Sequence, residues 1–134
     1  MRLLHAALPE DWARALQNGS YDTSTRGVSL AEAGFVHAST ASQLPGVLAR
    51  FYPDIPAVDL LVIDIDRLEH EGATVRWEPV AGDGPYPHIY GVIPSVAVVE
   101  VLRVEHQPGG RWPVPDLSSY DLATGAWGDR TRAG

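Results

Sequence analysis

The chain has 134 residues, 45% of them hydrophobic, and a formal net charge of −7. That length points to one domain able to bury a core without staples, and the acidic balance argues against general nucleic-acid or anionic-membrane binding, because both need a basic surface. With no cysteine, disulfides, thiolate nucleophiles and thiolate metal sites are excluded.

No apolar run approaches the roughly 20 residues needed to span a membrane. The opening Met1-Arg2-Leu3-Leu4-His5 lacks the apolar core of a signal peptide. The expected compartment is the cytoplasm.

Leu3 to Ala6 reads as a first strand. Pro9-Glu10-Asp11 suits the first turn of a helix, where proline loses no bond and acids meet the positive end of the dipole. Trp12, Ala15 and Leu16 recur at helical spacing, and Gly19 ends the element. Ser20 to Val28 reads as a polar loop. Ser29-Leu30-Ala31-Glu32 is a capping-box pattern opening a short helix that Gly34 terminates.

Phe35 to Ser39 is the next predicted strand. Its period of two puts Phe35, His37 and Ser39 on one face, with Val36 and Ala38 on the packed side. Thr40-Ala41-Ser42-Gln43 is a second capping-box pattern. It opens a helix expected to bury Leu44, Val47, Leu48 and Phe51, with Pro45 rather deep in the first turn. Asp59 to Asp66 holds a continuous apolar run, Leu60-Leu61-Val62-Ile63, the mark of a central strand covered on both faces.

Arg67 to Thr74 reads as a turn region. Val75 to Glu78 is a short strand with Arg76 and Glu78 on one face, Ala81 to Pro85 a loop, and His88 to Tyr90 a further short strand. Val96 to Val104 is the longest β-branched stretch and another strand. A single domain is therefore expected over residues 1–106. A Pro/Gly-rich tail over 107–134 is expected to wrap partly on it through Arg111 to Pro115 and to fray from about Gly128. Early helices followed by short strands predict a mixed α+β fold.

Of five histidines, His70 and His106 sit in polar surroundings and read as solvated. His5, His37 and His88 lie in predicted strands. Together with Glu78 they suit a site that binds a polar small molecule and acts on it. Their spacing contains no His-x-His or His-x-x-x-His pair, so no metal site is expected. Ser39 lies outside any Gly-x-Ser-x-Gly elbow and reads as a local hydrogen-bonding or capping group. Phosphate-loop and dinucleotide-fold glycine motifs are absent. Glu78, between Trp77 and Pro79, reads either as a shielded functional carboxylate or as a strand-end partner of Arg76. Tyr86 and Tyr90 suit stacking on a flat ring or filling a core.

Leu4-His5-Ala6, Trp12, Gly34-Phe35-Val36-His37-Ala38-Ser39-Thr40, Phe51-Tyr52, Arg76-Trp77-Glu78 and Pro87-His88-Ile89-Tyr90-Gly91 occur in this order. Together they resemble a small bacterial group, domain-of-unknown-function family 952, from about Leu3 to about Val104. That resemblance implies a place in the ADP-ribosyltransferase-like superfamily, whose split antiparallel β-sheet forms a cleft for NAD. It further implies a triad in which His5 holds NAD, His37 positions the nicotinamide ribose, and Glu78 orients the ribose and steadies positive charge. His88 is the substitute for the third role. The superfamily's Tyr is absent from the second position, His37, beyond which Ser39-Thr40 follow Ala38.

The expected function is an NAD-binding ADP-ribosyltransferase-like protein, either a transferase or an NAD glycohydrolase. Glu78 and His37 would be catalytic, with His5, Ser39, Thr40, Arg76, His88 and Tyr90 binding NAD. The open alternatives are a noncatalytic module for a nucleotide or phosphorylated metabolite, and a phosphotransferase or hydrolase acting through His37 and His88. The expected partner is a small-molecule nucleotide.

Overall fold

The computed structural model describes residues 1–80 and 83–124. In chain order they form β1 (Arg2–Ala7), α1 (Pro9–Asn18), β2 (Ser20–Tyr21), β3 (Thr23–Thr25), β4 (Val28–Ser29), α2 (Leu30–Ala33), β5 (Val36–His37) and α3 (Leu44–Phe51). Then follow β6 (Ala57–Asp64), α4 (Ile65–His70), β7 (Thr74–Val80), β8 (Asp83–Tyr90), β9 (Ile93–Pro94) and β10 (Val98–Glu105). The architecture is mixed α+β, with antiparallel sheets and few helices.

Two three-stranded sheets organise the molecule, ordered β1-β6-β10 and β5-β8-β7. One isolated rung joins them. Leu4 N–H donates to Ser39 O at 3.0 Å, and Ser39 N–H returns a bond to Leu4 O at 2.8 Å. Beyond that rung they run as separate sheets, leaving a wedge between β1 and the segment after β5.

The apolar run of the sequence is β6, the middle strand of its sheet, and residues 58–63 are all buried. Its side chains alternate between two cores. Leu61 and Ile63 pack with Leu3, Val36 and Ile89. Val58, Leu60 and Val62 pack with Leu4, Leu44, Leu48 and Tyr52. Each such aliphatic side chain contributes roughly 1.5–3 kcal/mol by leaving water. The one acid inside this run, Asp59, faces Arg103 directly across β10 and accepts from its Nε at 2.7 Å.

Several elements differ from the sequence reading. The predicted loop over Ser20–Val28 contains β2, β3 and a turn into β4. These strands are too short to show a period, and β2 is held by a distant partner, β9. The predicted turn region at Arg67 is largely α4. Asp64 caps it by accepting from Arg67 N–H at 3.0 Å, and its two buried residues, Ile65 and Leu68, are too few for a helical pattern. β8 already begins at Asp83, where a loop to Pro85 was expected; Ala81 and Gly82 lie outside the described residues. A 3-10 turn, Ser95–Ala97, delays the last strand to Val98.

In α3, Leu44 and Leu48 are buried as the pattern predicts, but Phe51 is 39% exposed. The helix ends there. Tyr52 leaves the helical conformation, turns into the core, and donates its hydroxyl to Ala6 O at 2.9 Å. Pro45 stands within the first two helical positions, where the missing N–H breaks no bond.

Up to residue 124 the tail packs with Trp112, Val114, Leu117, Tyr120 and Leu122 against the second core. Leu122 bridges Arg2 in parallel, so the tail shares the outer edge of β1 with Ser39. The expected fraying from Gly128 lies outside the described residues. His70 is exposed as expected, but His106 is not free in solvent. Its ring stacks on Trp112 at 4.2 Å, and its Nδ1 bonds Ile55 O at 3.1 Å.

Candidate functional site

Strand alternation sorts the β5-β8-β7 sheet into two faces. Val36, Ile89, Val75 and Trp77 face the core. The register pairs His37 with His88, His88 with Arg76, and Tyr86 with Glu78, so these five residues share the opposite face, together with Tyr90. Five sequence-predicted site residues (His37, Arg76, Glu78, His88 and Tyr90) thus lie on one surface.

Glu78 is the hub of that surface. Its Oε1 accepts from Tyr90 Oη at 2.5 Å and from His88 Nδ1 at 2.8 Å. These bonds, Tyr90's first and His88's second, hold the carboxyl below its ordinary range, while the same carboxylate pushes the Tyr90 phenol up. His88 Nε2 is buried and finds no partner among the described residues. Phe35 stacks on the His88 ring at 4.1 Å, and His37 meets it edge-on at 5.1 Å. Arg76 lies 4.8 Å over the Tyr90 ring, so it serves as an aromatic cap rather than an ion-pair partner of Glu78.

His37 is half-buried. Burial first, and the neighbouring His88 second, lower its pKa. Its imidazole is therefore neutral at pH 7. His37 also lines a cavity of about 160 Å³ in the wedge between the sheets. The polar wall comprises His5, Thr25, His37, Ser39, Arg50, Tyr52 and Tyr86, and Leu4 and Val47 are among its apolar residues.

His5 borders this cavity, yet its ring is fully engaged within the protein. Nδ1–H donates to His37 O at 2.5 Å, and Nε2 accepts from Tyr21 Oη at 2.8 Å. Burial lowers its pKa from 6.5 to about 4 and raises that of the Tyr21 phenol. His5 is thus a neutral core imidazole that fixes the backbone beneath His37. Both ring nitrogens being used, it has none left for a ligand. Thr40 likewise works locally. Its N–H donates to Gln43 Oε1 at 3.0 Å, and its Oγ1 accepts from Gln43 N–H at 3.3 Å, the reciprocal pair the capping-box pattern predicts.

His37 and Ser39 therefore sit in the cavity wall, whereas Glu78, His88, Tyr90 and Arg76 lie on the adjoining sheet face, outside the lining. Tyr86, directly across from Glu78, connects the two. Sequence reasoning did not select Thr25, Arg50 or Tyr21. Arg50 had a usable signal, standing three residues after Val47 on one face of α3. Tyr21 and Thr25 had none, because both were read as loop. No group of three or more His, Asp or Glu side chains is placed to hold a metal ion among the described residues. Nor is any helix among them long and apolar enough to cross a membrane.

No curated protein matches the chain. Among solved structures, the crystal structure of protein CC0527 from Caulobacter crescentus is 23% identical, with a TM-score of 0.70, over 89% of this chain and 96% of that one. The solution NMR structure of CC0527 is 21% identical, with a TM-score of 0.67, over 84% and 90%. At this identity the likeness is one of fold. The family model described as "Protein of unknown function (DUF952)" matches residues 6–101, which is more than half of the chain, and the chain belongs to that family.

Proposed function

We propose that the wedge between the two sheets binds a nucleotide of the NAD type, and that the protein is an ADP-ribosyltransferase-like transferase or NAD glycohydrolase. The observation that carries this reading is the single rung, Leu4 to Ser39, at which the two sheets join and part. Such a split gives a ligand access between two rigid walls, with His37 on one and α3 on the other. A cavity of about 160 Å³ takes part of a dinucleotide, with the rest on the open side.

In this reading, the neutral His37 imidazole hydrogen-bonds a ribose hydroxyl and fixes the sugar. Cleavage of the nicotinamide–ribose bond leaves positive character at the ribose carbon. Nicotinamide departs with the bonding pair, and water or an acceptor hydroxyl attacks, its proton passing to solvent. The carboxylate of Glu78, kept ionised by Tyr90 and His88, is the available charge to stabilise that carbon. The test is release of nicotinamide from NAD by the purified chain, with NAD affinity measured by calorimetry. Release above the uncatalysed rate supports the enzyme; no binding of NAD refutes the reading.

One observation favours a second reading, a noncatalytic nucleotide-binding module: Glu78 lies outside the cavity lining. Binding of NAD or ADP-ribose without nicotinamide release selects it.

A further inference from the structure

The cavity wall holds a hydroxyl and a guanidinium, those of Ser39 and Arg50. Ser39 is 2% exposed and contributes to the cavity lining. Arg50 makes no ion pair among them; its guanidinium lies 5.9 Å from the Phe51 ring. Arg2, Arg14, Arg26 and Arg103, by contrast, each face an aspartate.

The wall is also free of acid. The chain carries 17 Asp and Glu against 10 Lys and Arg, yet no carboxylate stands among the described lining residues. His5 adds no charge there, being neutral and engaged on both nitrogens. Arg50 is thus the one formally charged side chain among the described lining residues.

We infer that Arg50 and Ser39 form an oxyanion subsite that holds a phosphate group of the ligand, so that the cavity selects phosphorylated nucleotides over nucleosides. This rests on the reading of the wedge as a ligand site and names the part of the ligand that anchors there. A guanidinium offers paired N–H donors that match two phosphate oxygens. The Ser39 hydroxyl supplies a third donor, and in a wall cleared of acids the anion meets no repulsion. His37 stays free for the sugar.

The experiment is calorimetry with inorganic pyrophosphate, ADP-ribose and adenosine against the whole chain, Arg50→Gln and Ser39→Ala. Pyrophosphate and ADP-ribose are expected to bind, and adenosine to bind far more weakly. Losing one charge-assisted contact in Arg50→Gln should weaken both anions by ~10- to 100-fold. Its melting temperature should not change, since the side chain is exposed and unpaired. Adenosine binding as tightly as ADP-ribose overturns the subsite, as do undiminished anion binding in Arg50→Gln and the failure of both anions to bind. If NAD binds and turns over equally in wild type and Arg50→Gln, the subsite falls and the proposed function stands. If pyrophosphate binds through Arg50 but NAD does not bind, the subsite stands and the NAD reading falls.

Discussion

The Nδ1–H of His88 on β8 donates to Oε1 of Glu78 on β7 at 2.8 Å, a diagonal bond across two antiparallel strands. The residues directly opposite are Arg76 for His88 and Tyr86 for Glu78. The diagonal lets one oxygen also receive Tyr90 Oη. Glu78→Gln keeps the shape and removes the charge. Nicotinamide release should fall ~100- to 1000-fold, as for loss of one preorganised electrostatic contact, with NAD affinity nearly unchanged. Product release and calorimetry on the same preparation test this; full turnover in the variant removes Glu78 from the mechanism.

His5 makes stability depend on pH. Its folded pKa of about 4 lies below the ordinary 6.5, so between these values the unfolded chain binds more protons. The stability His5 contributes is complete above about 6.5 and is lost as pH falls toward about 4, a difference of roughly 3 kcal/mol. The lowered His37 and Glu78 act in the same direction. Denaturant unfolding across this window should show wild type losing more stability than His5→Gln. Parallel curves for the two proteins would mean that His5 is not the group responsible.

Tyr21 is 2% exposed, and its hydroxyl donates to His5 Nε2. Tyr21→Phe strands that nitrogen in the core. Leaving a buried acceptor unsatisfied costs about 1–3 kcal/mol, and urea unfolding should report a loss of that size. A neutral result would show that the pair contributes nothing.

Leu61 is fully buried in the middle strand of its sheet. Leu61→Ala should cost about 2–5 kcal/mol, from lost burial and the cavity left behind. The same change at Leu16, which is 58% exposed, should stay within about 0.5 kcal/mol. Similar losses at both positions would contradict the assigned core.

The chain order displays β1, α1, the central strand β6, both capping boxes and the His37 strand face. Each rests on near neighbours: a proline and acids at a helix start, a β-branched run, an alternation of two. Arg76 and Glu78 sharing a face, and Val36 with Ala38 turned inward, followed from the same alternation. What no local pattern carries is which strand lies beside which. Register pairs His37 with His88 across about fifty positions of chain, and one rung, Leu4 to Ser39, opens the wedge that Arg50 and Thr25 line. The same long-range packing engages both ring nitrogens of His5, because Tyr21, read as loop, arrives to occupy the second. Side-chain periodicity is written in adjacent residues, but the burial and hydrogen bonding that give an imidazole its role depend on elements that meet only when the chain closes on itself.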